Sequence, residues 1–124
     1  MPHSQELPLA VFDRDGVLDL VDGEVELLQE LAEMFLDDLP GQVELIQSAL
    51  AASDASAVNL VTHQLKSSVG NLGGRAAHEV IHKLEDASRE DNLADANEQF
   101  AICQRELEQF QAALSDFLNE QHPQ

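Results

Sequence analysis

The stretch Phe100-Ala101-Ile102-Cys103-Gln104-Arg105-Glu106-Leu107-Glu108-Gln109-Phe110-Gln111-Ala112-Ala113-Leu114-Ser115-Asp116-Phe117 decides the fold class. Its apolar residues Phe100, Cys103, Leu107, Phe110, Leu114 and Phe117 are separated by 3, 4, 3, 4 and 3 positions. That spacing puts all six on one stripe of an α-helix and leaves Glu98, Glu106, Glu108 and Asp116 to water. A helix over about 94–119 follows, and it needs other helices to cover the stripe.

Working upstream, Ala77, Ile81, Leu84 and Ser88 form a second stripe, which ends near Asp91-Asn92. Val58, Val61, Leu65, Val69 and Leu72 form a third, opened by Asp54 as N-cap and closed by Gly73-Gly74. Val25, Leu28, Leu31 or Ala32, and Phe35 mark a helix within 24–39, and Val43, Ile46 and Leu50 another within 41–52. Pro40-Gly41 should break or kink the chain between them, since proline removes a donor and restricts the residue before it. Only Leu9-Ala10-Val11-Phe12 could form a strand, and one strand has nothing to pair with. Short connections make neighbours antiparallel. The expectation is an all-α, up-down antiparallel four-helix bundle with an additional short N-terminal helix or helices. It forms one domain over 1–124, with a core of about 12–119 and tails at 1–8 and 120–124.

The chain has 124 residues, 24 of them acidic and 6 basic, for a formal charge of −18. Such a surface repels phosphate backbones and anionic lipid, so no nucleic-acid or membrane partner is expected. With no Trp or Tyr and five Phe, stacking platforms for single strands are scarce. No apolar run approaches the roughly 20 residues of a membrane span, and MPHSQELP lacks the pattern of a signal peptide. A single cysteine, Cys103, excludes an internal disulfide framework and fits a reducing, cytoplasmic setting. Strong self-repulsion favours a monomer.

The charge is unevenly placed. Residues 1–62 carry 13 acidic and 1 basic side chain and residues 90–124 carry 8 and 1. Residues 63–89 instead hold Lys66, Arg75, Lys83 and Arg89 against Glu79, Glu85 and Asp86. Either this is ordinary mixed helical charge or it marks a local anion site on a repelling protein. Within the stretch, at about 100° per residue, His63 points away from the apolar stripe. Lys66, Ser67 and Gly70 flank it on that outer face, and a mid-helix glycine costs about 1 kcal/mol against alanine. Small side chains would let another protein reach the imidazole. Neutral imidazole is a nucleophile near pH 7, and a lysine one turn away can offset phosphoryl charge. A solvent-facing His beside a solvent-facing Lys is the plain alternative.

The run Thr62-His63-Gln64-Leu65-Lys66-Ser67-Ser68-Val69-Gly70-Asn71-Leu72-Gly73-Gly74 resembles the signature of histidine-containing phosphotransfer (HPt) domains. Phe35-Leu36-Asp37-Asp38-Leu39-Pro40 and Ala49-Leu50-Ala51-Ala52-Ser53-Asp54 upstream, and Leu84-Glu85-Asp86-Ala87 downstream, extend the resemblance over most of 12–118. Ser67 stands where the family often has glycine, and Gly74 where it often has alanine. The resemblance implies a phosphorelay intermediate, a phosphocarrier rather than a stand-alone enzyme. His63 would accept a phosphoryl group from a receiver-domain aspartyl phosphate and pass it to another receiver. Lys66 would stabilise phosphoryl oxygens, and Gln64, Ser67, Gly70 and Asn71 would line the docking face. Leu60, about 60° from His63 on the same wheel, is a candidate apolar contact for the partner, with an ordinary surface leucine as the alternative. Expected partners are response-regulator receiver domains, a hybrid histidine kinase, or both. The carrier would need no cofactor, with Mg²⁺ on the receiver. No Gly-rich phosphate loop or kinase domain is present in the sequence. The Met-initiated chain fits a free-standing carrier better than a piece of a longer kinase. The alternative is a non-catalytic helical interaction module using the same face.

Two other motifs compete for attention. His78-Glu79-Val80-Ile81-His82 matches the zinc-protease pattern H-E-x-x-H, with Glu85 one turn on as a conceivable third ligand. A small helical bundle offers no substrate groove for that chemistry, so no metal site is expected and the two histidines read as surface residues. Val11-Phe12-Asp13-Arg14-Asp15-Gly16-Val17-Leu18 resembles the first motif of haloacid-dehalogenase-type phosphatases. That motif requires a parallel sheet, which this sequence does not encode. The simpler reading is a short helix capped by Asp13 or Asp15 and anchored by Phe12. Cys103, on the apolar seam, reads as an inert core residue. His3 and His122 fall in the tails and carry no argument.

Overall fold

The computed structural model describes residues 9–121. His3, His122, the expected tail 1–8 and residues 122–124 of the expected tail 120–124 lie outside them. Five helices follow in order: α1 (Arg14–Leu20), α2 (Val25–Ala51), α3 (Ala55–Asn71), α4 (Arg75–Arg89) and α5 (Leu93–Gln121). There is no strand among the described residues. Successive helices from α2 to α5 pack on one another and α5 returns to α2, which closes an up-down four-helix bundle with α3 and α5 on its diagonal.

The predicted stripes are the core. Leu28, Ile46, Leu65, Ile81, Leu84, Phe110, Leu114 and Phe117 are all fully enclosed, at no more than 2% exposure. Three of the connections are three residues long, 52–54, 72–74 and 90–92, and the middle residue of each is left-handed: Ser53 (φ 54°), Gly73 (φ 78°) and Asp91 (φ 59°). One such residue reverses the chain after a helix without adding loop length. Asp54 caps α3 as expected, accepting from the Ala57 N–H at 3.1 Å.

Pro40 does not divide the second helix. α2 runs unbroken through 27 residues with Pro40 inside it. An interior proline costs about 3 kcal/mol, but buried residues hold both sides: Leu28, Ala32, Phe35 and Leu39 before it, and Ile46, Ala49 and Leu50 after it. Burying each large apolar side chain is worth about 1.5–3 kcal/mol, so the stripe outweighs the breaker. The other boundary that differs is the C-terminal one. α5 reaches Gln121, and Glu120, placed in a tail by the sequence, pairs with Arg14 at 2.9 Å.

The N-terminal segment is a short capped helix, not a strand. Asp13 caps α1 through the Gly16 N–H at 3.2 Å, and Phe12 meets Phe110 and Phe117 edge-on at 6.2 and 5.9 Å. Two backbone bonds, from Asp13 N–H to the Gly73 carbonyl and from Ala76 N–H to the Ala10 carbonyl, lay the segment over the α3–α4 turn. A Cβ on Gly73 would run into the Val17 side chain and come within 2.9 Å of the Asp13 carbonyl oxygen, at a φ that disfavours any side chain. Gly73→Ala is therefore expected to cost about 1–3 kcal/mol, read as a lower urea midpoint.

Candidate functional site

His63 lies on α3, turned away from the core as the wheel predicts, with its side chain 64% exposed. It is not a free surface histidine. Its Nδ1 lies 2.8 Å from Glu85 Oε2, and Lys66 Nζ lies 2.5 Å from Glu85 Oε1. Glu85 comes from the facing side of α4 and is only 5% exposed. One buried carboxylate thus holds both the imidazole and the ammonium.

The burial of Glu85 would push its carboxyl upward, but hydrogen bonds from Lys66 and His63 outweigh that and hold it below the ordinary value of 4.5. An ionised carboxylate can only accept, so Nδ1 of His63 carries the proton and Nε2 is left with the lone pair. The fold therefore selects a tautomer and aims a nucleophilic nitrogen outward. Because the Glu85 value is depressed in the folded state, its stabilising effect is present above pH 4.5 and lost as the pH falls below it. The stability difference between the wild type and Glu85→Gln is expected to shrink as the pH falls below 4.5. Urea unfolding of both proteins above and below pH 4.5 checks it.

The α3–α4 seam that positions these groups is itself polar. Asn59 Nδ2 donates to the Glu85 carbonyl at 3.3 Å and to Ser88 Oγ at 3.2 Å, while Ser88 Oγ donates to the same carbonyl at 2.7 Å. Thr62, fully buried, bonds back to the Val58 carbonyl at 2.8 Å. The two Asn59 bonds cross from α3 to α4, and they fix the rotation of α4 against α3 and so the reach of Glu85 toward His63.

Lys66 departs from its expected setting. Its side chain is 19% exposed rather than solvent-facing, because α4 packs along that flank. His82 adds to the cluster, with Nδ1 at 3.4 Å from Lys66 Nζ and Nε2 at 3.4 Å from Asp86 Oδ2. Three of the four cations in 63–89 are likewise paired inside the chain. Lys66 pairs with Glu85, Arg75 with Asp13 at 2.7 Å, and Arg89 with Asp86. The Arg75 hydrogen bond and then the Gly16 N–H hold the Asp13 carboxyl below its ordinary value. Asp13 is thus a cap and ion-pair partner, and there is no strand among the described residues to set it at a sheet edge.

Leu60, Gln64, Ser67, Gly70 and Asn71 are all exposed around His63, Leu60 at 60%. Gly70 has a second reason to be small: a Cβ there would sit 3.1 Å from His78 Cδ2. His78 packs toward that glycine while His82 turns to Lys66 and Asp86, so the two imidazoles of the H-E-x-x-H run engage different neighbours. Cys103 is buried, bonds the Val80 carbonyl at 3.2 Å, and has its thiol pushed up to about 12 by burial. Such a thiol is unreactive near neutrality.

Sequence spacing alone did not find Glu85 as part of this site. It lies 22 residues from His63, and the available signals were the Leu84-Glu85-Asp86-Ala87 stretch and its place on the core-facing side of α4.

With this geometry in hand, the chain can be set beside known proteins. A family model described as Hpt domain matches residues 30–113. A Dictyostelium discoideum protein named phosphorelay intermediate protein rdeA is 27% identical over 110 residues, covering 89% of this chain. The chain spans only 43% of that relative's length. Histidine-containing phosphotransfer protein B (HptB) from Pseudomonas aeruginosa PAO1 superposes with a TM-score of 0.82 at 20% identity, over 89% of this chain and 96% of that one. This last likeness speaks to the fold.

Proposed function

This chain belongs to the Hpt domain family, and from that premise we propose that it is a phosphorelay intermediate of two-component signalling whose phosphoryl-accepting residue is His63. The observation that carries the reading is the exposed imidazole whose Nδ1 is tied to buried Glu85, leaving Nε2 as the nucleophile. Nε2 attacks the phosphorus of a receiver's aspartyl phosphate. The N–P bond forms as the acyl-phosphate P–O bond breaks, and the receiver's carboxylate leaves. No proton has to move at Nε2. Positive charge that develops on the ring is met through Nδ1–H by the Glu85 carboxylate. Lys66 places an ammonium beside the ring and offsets charge on the transferred group. Reversal of the same step on another receiver returns the phosphoryl group to an aspartate.

In this reading Mg²⁺ and the rest of the active site belong to the receiver, and the carrier contributes imidazole, carboxylate and lysine. The partners are receiver domains of response regulators, of a hybrid histidine kinase, or both, met in the cytoplasm by a monomeric carrier. No helix among the described residues is long and apolar enough to cross a membrane.

The test is transfer from a phosphorylated receiver domain, followed by mapping of the modified residue. The expected product is an acid-labile, base-stable phosphoryl group on His63. Failure of transfer from several receivers, together with failure of phosphoramidate to modify His63, would overturn the proposal in favour of an interaction module that binds through the same face.

A further inference from the structure

Glu85 is held at two ends by the same helix. Its carboxylate meets His63 and Lys66 of α3, and its backbone carbonyl accepts from Asn59 Nδ2, also of α3, at 3.3 Å. Asn59, His63 and Lys66 are four and three residues apart, so they share the flank of α3 that faces α4. Ser88 Oγ completes the hold. It accepts from the same Asn59 amide at 3.2 Å and donates to the Glu85 carbonyl at 2.7 Å. One side-chain amide thus grips the main chain of the residue whose carboxylate sets the tautomer of His63.

Local propensity does not ask for these residue types. Asparagine is a weak helix former because its side chain competes for backbone groups, yet Asn59 stands at the fifth position of α3. Ser88 is 3% exposed beside the apolar residues Ile81, Leu84 and Ala87, where a hydroxyl has to find partners. Leucine at 59 and alanine at 88 would form the helices better and leave no polar group to satisfy. The demand comes from Glu85. A glutamate side chain has several rotatable bonds, and here each carboxylate oxygen has its own partner, Oε2 with His63 and Oε1 with Lys66. Both bonds form at once only when the Glu85 backbone sits at one distance and angle from α3. Among the described residues, the side-chain hydrogen bonds between α3 and α4 are those of the His63, Lys66, His82 and Glu85 cluster and the two of Asn59. Asn59 is therefore the fixed point that does not depend on the cluster's own charges.

Building on the carrier reading, we propose that Asn59 is a positioning residue for phosphoryl transfer. Together with Ser88 it holds the Glu85 backbone, keeps the carboxylate on Nδ1 of His63, and so keeps the lone pair on Nε2. It stands one turn, about 6 Å along the axis, before His63 and acts wholly through Glu85. Without it α4 turns against α3, one carboxylate bond is kept at the expense of the other, and the share of His63 with a nucleophilic Nε2 falls.

The experiment measures phosphorylation of His63 by phosphoramidate, in which Nε2 takes the phosphoryl group as the P–N bond breaks and ammonia leaves. So small a donor needs no docking face, and a changed rate reports on the imidazole itself. Full-length wild type, Asn59→Leu, Glu85→Ala, the Asn59→Leu/Glu85→Ala double variant and Val43→Ala are compared. Ring ¹⁵N shifts of His63 and a urea midpoint are recorded for each. Val43 is a partly buried residue of α2 packed on the core, so Val43→Ala lowers stability away from the α3–α4 seam. Asn59→Leu is expected to slow phosphorylation about 3–10-fold, less than Glu85→Ala, and to show a mixture of His63 tautomers. Val43→Ala should change neither. In the Glu85→Ala background, Asn59→Leu should add less than about twofold, because the residue it acts through is gone. Asn59→Ser, too short to reach the Glu85 carbonyl, is run in parallel with the same expectations and keeps the test open if leucine does not fit. Wild-type rate and tautomer in the Asn59 variants, the same slowing with and without Glu85, or an equal slowing by Val43→Ala would overturn the proposal and leave the carrier reading standing. A tautomer shift in the Asn59 variants, with wild-type His63 taking no phosphoryl group from phosphoramidate or a receiver, would support the hold on Glu85 and remove the carrier reading.

Discussion

A chain carrying His63→Gln is expected to take up no detectable phosphoryl group from any receiver, while remaining folded and still able to bind one. Glutamine is close to histidine in reach and can still donate a hydrogen bond to Glu85, so the α3–α4 seam loses little. It has no nucleophilic nitrogen, so the N–P bond cannot form. Glu85→Ala separates nucleophile from positioning. His63 and Lys66 keep their atoms but lose the carboxylate that holds them 2.8 and 2.5 Å away. Transfer is expected to slow about 10–100-fold, as misplacement of a reacting group commonly does. Ring ¹⁵N shifts of His63 supply the readout that a mere loss of stability would not move. The wild type should show Nδ1 protonated, Glu85→Ala a mixture of tautomers, and Glu85→Gln a partial return, since its amide oxygen still accepts from Nδ1.

The second large effect is on stability. Phe110 is completely buried and meets three parts of the chain. Its ring packs edge-on against Phe12 of the N-terminal segment at 6.2 Å and Phe35 of α2 at 5.5 Å. Its far edge lies where a Cβ on Gly74 would come, at 2.9 Å, which is why glycine precedes α4 here although the family often has alanine. Phe110→Ala removes transfer energy and leaves a cavity bounded by elements that cannot all collapse into it. The expected cost is about 3–5 kcal/mol, against a total of about 5–15 for a domain of this kind. Urea unfolding should show it as a midpoint drop with little change in slope.

The bundle was legible because its signal is repeated. Each of the long helices carries a stripe of apolar residues at 3.6 periodicity, and the breaks between α2, α3, α4 and α5 fall at Asp54, Gly73-Gly74 and Asp91-Asn92, where the chain does turn. Pro40 misled because a breaker is local while the stripe around it is not. Leu39 and Ile46 are buried on the same face and hold the helix together across it. His63 and the exposure of its neighbours could be read from one helix alone. Glu85 could not, since its part depends on how α4 is rotated against α3, and that is set by Asn59 and Ser88 across the seam. The same packing withdrew Lys66 from the solvent, which a wheel drawn for an isolated helix cannot show.

The three-residue turns bear on how quickly the protein assembles. Nearly all its packing joins helices adjacent in sequence, and the groups around His63 belong to the single hairpin formed by α3 and α4. Low contact order of this kind goes with folding in microseconds to milliseconds. The face around His63 is therefore built from the shortest-range contacts of the bundle and can begin to form before α5 has closed the ring.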